Sequence, residues 1–449
     1  MTVWIKSPLA ILAEGAEGGI VVDGSRIVEL VPAGAAPETS YRETFDASSH
    51  VVIPGLVNTH HHVFQTLTRA FPPSANKPLF PWLQANYPVW AHITPEMFRL
   101  ATRLAFTELL MSGATCASDH HYLFPRGLED AVDVQVEEAE ALGLRVTVTR
   151  GSMNLSEKDG GLPPDAVVQS EDDILIDCER VLGRFHDTAP GAMTRIALAP
   201  CAPFTVSKHL MRESARLAEA HDCRLHTHLG ETHDEDAFCL EHFGMRPVDY
   251  LEEQGWLTDR VWLAHGIHFD DDEIARLGRH GVGVCHCPTS NMTLASGQCR
   301  TLELEAAGAP VGLGVDGSAS NDNSNLMESV RHAMMLNRLT YGAERVTCRH
   351  ALSWATEGSA RCLGRSDIVR IAVGQEADLA FFRLDDLRFS GAHDPIDALV
   401  ICGAHAADRV MVAGRWRVVD GQPLGQDVMR LRHEHHAAAM RLAELAGLC

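Results

Sequence analysis

The chain has 449 residues, 45% of them hydrophobic and 22% charged, which is typical of a globular protein long enough for one large barrel with a smaller unit attached. Its formal net charge of −22, without a dense patch of Lys and Arg, argues against nucleic acid and anionic membranes as partners. No apolar run approaches the roughly 20 residues that cross a bilayer, and the N-terminus lacks a secretion signal, so we expect a cytoplasmic protein. The twelve cysteines are then expected to be free thiols.

Both ends of the chain are rich in short strands. The first 53 residues include GIVVDGSRIVELV, which predicts a hairpin with Asp23 and Gly24 in its turn. The same pattern of short strands separated by turns is predicted again from about residue 370, in GQEADLAFFRLD and RVMVAGRWRVVDGQPL. Because chain ends often lie close together, we expect 1–53 and 370–449 to form one composite β-sandwich, with two unrelated β-rich appendages as the alternative. The final stretch predicts a helix whose HEHH cluster forms a solvated face.

Between residues 54 and 369, short apolar strands alternate with helix-like segments. We expect eight strands, at 55–60, 114–119, 144–150, 194–200, 223–229, 260–266, 282–287 and 311–316. Eight strands with helices between them predict an α/β fold, a (β/α)8 barrel of the TIM type. A doubly wound open sheet is the alternative, although no G-x-G-x-x-G follows any of these strands.

Polar residues gather where these strands end, beginning with three consecutive histidines after the first. In an extended chain alternate residues share a face, so His60 and His62 can converge on one point while His61 faces away. Three further residues lie at the carboxyl ends of later strands: His228, His265 and Asp316. Imidazoles and a carboxylate that leave one coordination position open are typical of a catalytic zinc site, whereas a structural site would be closed and rich in cysteine.

Glu231 follows His228 by three residues, at the start of the next segment. At that position a carboxylate can reach a water molecule activated by a metal without being a ligand itself, and can pass the proton on to a leaving group. His265 is placed to hold the resulting hydroxide by a hydrogen bond. The structural alternatives are a carboxylate favoured by a helix N-terminus and a hydrogen-bonded core histidine.

With these residues in place, the chain resembles the amidohydrolase superfamily, and within it the branch of guanine, cytosine, S-adenosylhomocysteine and s-triazine deaminases and hydrolases. The resemblance covers nearly the whole chain and rests on PGLVNTHHHVFQTLTR, HTHLGET, LAHGIHF, HCPTSNMTLASG and GLGVDGSASNDN. It implies one divalent metal ion per chain, Zn²⁺ or else Fe²⁺, bound by His60, His62, His228 and Asp316. It also implies that Glu231 is the proton shuttle, that His265 orients the water together with Asp316, and that His61 is a bystander.

One departure from this branch is Cys201 in APCAPF, where many relatives carry the histidine of A-P-H-x-P. That histidine contacts substrate in adenosine-type deaminases, so nucleosides of the adenosine type are disfavoured. The loops at 80–90, 118–125 and 150–165 resemble those of bacterial 8-oxoguanine deaminases, which implies deamination of 8-oxoguanine to urate and ammonia. The alternatives are deamination of isoxanthopterin, guanine or another heterocycle, and hydrolysis of an s-triazine of the hydroxyatrazine type. An intact Glu231 argues against a non-enzymatic scaffold.

Two side chains are candidates for contact with a planar ring. Gln65 lies one turn past the metal pair and offers both a donor and an acceptor, with a structural glutamine as the alternative. Trp82 is placed to stack on a base, although core packing is the commoner role of a lone tryptophan. Together with Cys201 and Glu231 they form the predicted substrate-binding set. We expect a small heterocyclic substrate and leave a homo-oligomer open.

Overall fold

Strands from the N-terminal end begin the fold in the computed structural model, which describes residues 2–448. They are β1 (Thr2–Lys6), β2 (Ala10–Ile11), β3 (Gly19–Asp23), β4 (Arg26–Val31), β5 (Glu43–Asp46) and β6 (His50–Pro54). Four of them form a sheet in the order β4-β3-β1-β5. The predicted hairpin is present, since β3 pairs antiparallel with β4 across the turn at Gly24.

A sheet of eight parallel strands forms the centre of the molecule. The strands are β7 (Leu56–Asn58), β8 (Ala114–Asp119), β9 (Arg145–Ser152), β10 (Thr194–Pro200), β11 (Arg224–Leu229), β12 (Val261–His265), β13 (Gly283–His286) and β14 (Val311–Leu313). They lie side by side in chain order, and the N–H of Thr59 donates to the carbonyl of Leu313 at 3.0 Å, which joins the last strand to the first. The predicted (β/α)8 barrel is confirmed, with every predicted strand present.

Fifteen helices are present in the described residues; α1 to α10 lie between the barrel strands in chain order, and α11 to α15 follow the last of these strands. They are α1 (Leu79–Trp90), α2 (Pro95–Met111), α3 (Ala131–Leu142), α4 (Glu171–Phe185), α5 (Lys208–Ala220), α6 (His233–Phe243), α7 (Pro247–Glu253), α8 (Asp271–Arg279), α9 (Pro288–Thr293), α10 (Thr301–Ala307), α11 (Leu326–Tyr341), α12 (Cys348–Ser353), α13 (Ser359–Cys362), α14 (Pro395–Ile401) and α15 (Val428–Leu445). In α4, Ser170 caps the first turn and Ile174, Cys178 and Val181 form the buried stripe. Among residues 2–448, no helix has the length and apolar character needed to cross a membrane.

Strands from the C-terminal end complete a second sheet begun by the N-terminal end. They are β15 (Leu379–Arg383), β16 (Arg409–Val412), β17 (Arg415–Val419) and β18 (Gln422–Pro423). The order of this six-stranded sheet is β18-β17-β16-β15-β6-β2, so strands from the two chain ends pair directly. Ile20 of the four-stranded sheet lies in one buried cluster with Val52 and Phe381 of the six-stranded sheet. The two ends therefore pack together as expected, while the domain limits at 53 and 370 stay a prediction.

A buried ion pair joins the barrel to this terminal unit. Arg145, at the start of β9, donates two hydrogen bonds to the carboxylate of Asp378, each 3.0 Å long. The same carboxylate accepts the N–H of Ala413 at 2.8 Å. A bidentate pair of this kind restricts the relative orientation of the two groups. It therefore holds the terminal sheets against the amino-terminal end of β9, opposite the end of the strand that carries the site residues.

The C-terminal helix corrects one sequence-based expectation. His433 and His436 of the HEHH cluster are exposed, but His435 is buried, with its Nε2 3.0 Å from the Oγ1 of Thr66. Thr66 belongs to a short 3₁₀ turn, Val63–Thr68, that follows the triple histidine. The expectation of a solvated face was wrong for His435, because α15 packs this side of the helix against the barrel.

Candidate active site

A cavity opens at the carboxyl ends of the barrel strands. Most of the residues predicted for the site line it: His62, Gln65, Trp82, Cys201, His228, Glu231, His265 and Asp316. His60 lies beneath the cavity floor and is fully buried. The strand-end rule therefore brings the candidate residues to one face of the barrel, as the sequence predicted.

Three imidazoles turn their Nε2 atoms toward one point. The Nε2 atoms of His62 and His228 are 3.2 Å apart, and those of His60 and His62 lie 3.4 and 3.3 Å from the Oδ1 of Asp316. The Nε2 of His60 is buried and has no hydrogen-bond partner. Buried nitrogen atoms that face each other and a carboxylate without shared protons need a cation between them. These four residues therefore fit a divalent metal ion.

The opposite ring nitrogens of two of these histidines are held by backbone carbonyls. The Nδ1–H of His62 donates to the carbonyl of His120 at 2.8 Å, and the Nδ1–H of His228 donates to the carbonyl of Cys201 at 2.7 Å. Burial, followed by the neighbouring His60, lowers the pKa of His62 to about 3. Both rings are therefore neutral with the Nε2 lone pair facing inward, the form that binds a metal.

His60 is oriented by a second histidine. Its Nδ1 lies 2.8 Å from the Nε2 of His226, whose own Nδ1–H donates to the carbonyl of Trp262 at 2.8 Å. The His226 ring stacks on the Trp262 indole at 4.3 Å. The sequence contained a signal for His226 that we did not use: in HTH it alternates with His228, so both side chains point into the barrel.

Glu231 is buried in the turn between β11 and α6, and its Oε2 lies 3.5 Å from the Nε2 of His265. Burial raises the pKa of Glu231 to about 7, against the effect of His265, which lowers it. A carboxyl group with a pKa near neutrality is suited to accept and release a proton. The Nδ1 of His265 is 3.0 Å from the Oδ1 of Asn291, which fixes the plane of the imidazole.

His265 and Asp316 both adopt left-handed backbone conformations, with φ of 72° and 64°. This region costs a residue that carries a Cβ roughly 1–2 kcal/mol. Asp316 cannot belong to an extended strand in this conformation, and β14 ends at Leu313, three residues before the predicted end at 316. Both strained backbone conformations therefore occur at residues whose side chains line the cavity.

His61 faces away from the cavity, as the alternation rule predicted, but it is not an unattached side chain. Its Nε2 lies 2.8 Å from the Oγ of Ser324, and its Nδ1 lies 3.9 Å from Asp119. The ring is fully buried and links the end of β7 to the loop that follows Asp316. His61 is therefore a structural contact between two segments that carry site residues.

The predicted substrate contacts all lie in the cavity wall. The N–H of Ala319 approaches the Oε1 of Gln65 at 3.4 Å, and the Nε1–H of Trp82 points to the carbonyl of Ala319 at the same distance. The thiol of Cys201 is buried, and burial raises its pKa far above its usual value, so it stays protonated. Their contact with a substrate stays a prediction.

Four further residues of the site were not found from the sequence: Tyr87, Tyr122, His120 and Asn291. The two tyrosines line the cavity. The His120 ring stacks on His228 at 4.6 Å, its Nε2 lies 3.0 Å from the carbonyl of Ala199, and its buried Nδ1 has no hydrogen-bond partner. No spacing rule connects Asn291 with His265, because Asn291 lies in α9 and His265 ends β12. The described cysteines are free thiols, as expected.

An eight-stranded parallel barrel with histidine and aspartate ligands at the carboxyl ends of its strands defines a metal-dependent hydrolase. The chain belongs to the Amidohydrolase family, whose sequence model matches residues 51–417. The predicted family is confirmed, and so is the predicted enzyme class, a hydrolase that acts on C–N bonds in cyclic amidines.

Known proteins of this family are similar over nearly the full length. The chain is 61% identical over 442 residues to the 8-oxoguanine deaminase of Pseudomonas aeruginosa, covering 98% of both chains. It is 36% identical over 409 residues to an isoxanthopterin deaminase of an unknown prokaryotic organism, covering 87% and 85% of the two chains. Among solved structures, the zinc complex of an atrazine chlorohydrolase from Arthrobacter aurescens matches with a TM-score of 0.91 at 30% identity, covering 97% of this chain and 100% of that one.

Proposed function

We propose that the chain deaminates 8-oxoguanine, adding water and releasing ammonia to give urate. The observation that carries this proposal is the 61% identity to an 8-oxoguanine deaminase over 98% of both chains. The site supports it, because a buried carboxyl group lies beside a cluster of residues that could bind a metal ion. The related isoxanthopterin deaminase and atrazine chlorohydrolase define the competing activities.

The residues that would hold the metal are His60, His62, His228 and Asp316, and the ion is Zn²⁺ in preference to Fe²⁺. Three imidazole nitrogens and one carboxylate oxygen suit zinc, which would admit a water molecule by expanding from four ligands to five. The zinc complex of the related atrazine chlorohydrolase supports the choice of metal. When bound, the ion supplies a Lewis acid that lowers the pKa of water.

Glu231 carries the proton in this reaction. Its carboxylate takes a proton from the water that adds to the amine-bearing ring carbon, and it delivers that proton to the amine as the C–N bond breaks. A pKa of about 7 keeps both forms of the carboxyl group populated at neutral pH. The Nε2 of His265, 3.5 Å from Glu231 and 4.0 Å from the Oδ2 of Asp316, holds the water between the two carboxylates.

The cavity wall suits a flat, uncharged ring. Its apolar part includes Leu79, Leu83 and Phe204, with Trp82 beside them. No Lys or Arg is among the described residues that line it, so the phosphate of a nucleotide would lack a cationic partner. Gln65 supplies polar contacts for the edge of the ring.

The test is a comparison of kcat/KM by ammonia release from metal-replete enzyme. The substrates are 8-oxoguanine, guanine, isoxanthopterin and a hydroxylated s-triazine. We expect 8-oxoguanine to exceed guanine by more than about tenfold, because a polar site discriminates strongly against a substrate that lacks a bonded group. Faster turnover of isoxanthopterin or the triazine, or equal turnover of guanine, would contradict this substrate and leave the hydrolase class intact.

A further inference from the structure

Glu235 lies in the first turn of α6 and reaches back to the turn that carries Glu231. It is 2% exposed, and its Oε2 accepts the backbone N–H of Glu231 at 3.1 Å. Its Oε1 is buried without a hydrogen-bond partner. A buried carboxyl group aimed at the backbone of the predicted proton shuttle calls for a functional explanation, since buried unpaired oxygens are costly.

Charge does not explain the burial of Glu235. The charged groups that face it, Glu231 and Asp236, are both acidic, and Asp236 is itself 3.5 Å from Arg246. Burial raises the pKa of Glu235 to about 8, and the two acidic neighbours add to the rise. At neutral pH the side chain is therefore mainly a neutral acid whose carbonyl-type oxygen accepts an N–H.

The Glu231 carboxylate depends on its backbone for its position. Within the described residues the carboxylate makes no hydrogen bond, and the Nε2 of His265 lies 3.5 Å from its Oε2. On one side the turn is anchored by the carbonyl of Gly230, which accepts the N–H groups of Ile267 and His268 at 2.8 and 2.9 Å. On the other side the anchor is the carboxyl group of Glu235.

We propose that Glu235 is a positioning residue, which accepts the N–H of Glu231 and thereby aims the Glu231 carboxylate at the reacting amine. The inference rests on the proposed shuttle role of Glu231. A misplacement of about 1 Å at a reacting group can cost on the order of a hundredfold in rate. This role requires an oxygen that accepts the N–H of Glu231 and does not require a negative charge. We therefore expect glutamine, but not alanine, to fill the role of Glu235.

The test is a double-mutant cycle on the full-length, metal-replete enzyme. The variants are Glu235→Ala, Glu235→Gln, Glu231→Gln and the double variant Glu231→Gln with Glu235→Ala. The matched control is Asp234→Ala, an exposed carboxylate of the same helical turn. The readouts are kcat, KM and bound metal, measured with whichever heterocycle the parent deaminates most rapidly.

We expect Glu235→Ala to lower kcat by about ten- to a hundredfold, with KM and metal content within about twofold of the parent. Glu235→Gln should stay within about threefold, and Asp234→Ala should match the parent. In the Glu231→Gln background, removal of the Glu235 side chain should cost no further activity, because residues that act as a unit are not additive.

An additive cycle, or a parent-like kcat for Glu235→Ala, would overturn this inference and leave the shuttle role of Glu231 standing. Parent-like turnover by Glu231→Gln would instead overturn the shuttle role, and the inference with it. If Glu235→Ala does not fold, Glu235→Leu keeps most of the volume and also lacks an acceptor. For Glu235→Leu too, an additive cycle or a parent-like kcat would overturn the inference.

Discussion

The Nδ1 of His60 lies 2.8 Å from the Nε2 of His226, so one buried histidine orients another. His226 is fixed in turn by the carbonyl and the indole ring of Trp262. Histidines that bind metals generally donate their second ring nitrogen to such a partner, which sets the tautomer and the direction of the lone pair. His226 thus prepares His60 without being placed to contact a substrate.

Removing the side chain of His226 should lower the affinity of the site for its metal ion. We expect His226→Ala to lower metal affinity by roughly ten- to a hundredfold, because His60 loses the partner that fixes its ring. Competition with a chelator measures the affinity. His433→Ala, an exposed histidine on α15, is the control and should bind metal like the parent. Equal affinity in both variants would contradict the role of His226.

The ligand assignment predicts a common effect of three substitutions. His60→Ala, His228→Ala and Asp316→Ala should each hold well below one metal ion per chain and should lose activity, because each removes a donor atom. Elemental analysis of purified protein measures the metal. Full metal content in all three variants would remove the site assignment.

His61→Ala should behave differently from His60→Ala. The His61 ring points away from the metal cluster, so metal content and most of the turnover should be kept. Loss of the contact with Ser324 should lower the free energy of unfolding by about 1–3 kcal/mol. Urea unfolding and metal analysis test both parts. Loss of metal would show that the alternation of the three histidines has been assigned one residue out of register.

Cys201→His tests how the cavity accommodates its substrate. An imidazole is larger than a thiol, so we expect kcat/KM for 8-oxoguanine to fall by about tenfold or more as the cavity fills. Metal content should be unchanged, because Cys201 holds His228 through its backbone carbonyl. Cys201→Ser keeps the size and should stay within about threefold. Parent-like kcat/KM for Cys201→His would show that this wall does not contact the substrate.

Glu235 also predicts a pH dependence of stability. Its pKa is raised from 4.5 to about 8 on folding, so the folded state binds more protons than the unfolded state between these values. Its contribution to stability is complete below the lower value and is lost as the pH rises through the higher one. Glutamine does not titrate, so the unfolding free energy of Glu235→Gln relative to the parent should increase from pH 5 to pH 8. A constant difference across urea titrations would contradict the buried, uncharged state.

The sequence predicted the parts of the site that follow from strand periodicity. His60, His62, His228, His265 and Asp316 all lie at or just beyond the carboxyl end of a barrel strand, and such residues meet at one face of the barrel. The strand ends were correct to within three residues, with the largest difference at β14, which ends at Leu313, before the left-handed Asp316.

Contacts made through tertiary packing were not predictable in the same way. Asn291 of α9 contacts His265 at the end of β12, and His435 is buried because α15 packs on the turn at Thr66. Glu235 is one of three acidic residues in the first turn of α6, a position at which the helix dipole alone favours a carboxylate. Its burial and its direction toward Glu231 became visible only in three dimensions.

The pairing of β6 with β15 sets an order of events during synthesis. His50 of β6 pairs with Arg383 of β15, so the partner of an early strand leaves the ribosome only after the entire barrel. Until then β6 presents an unpaired edge, and such edges are where growing chains associate with one another. The pairing of β6 with β15 can therefore be completed only after residue 383 has been synthesised. A chain released before that point keeps the edge of β6 exposed to other chains.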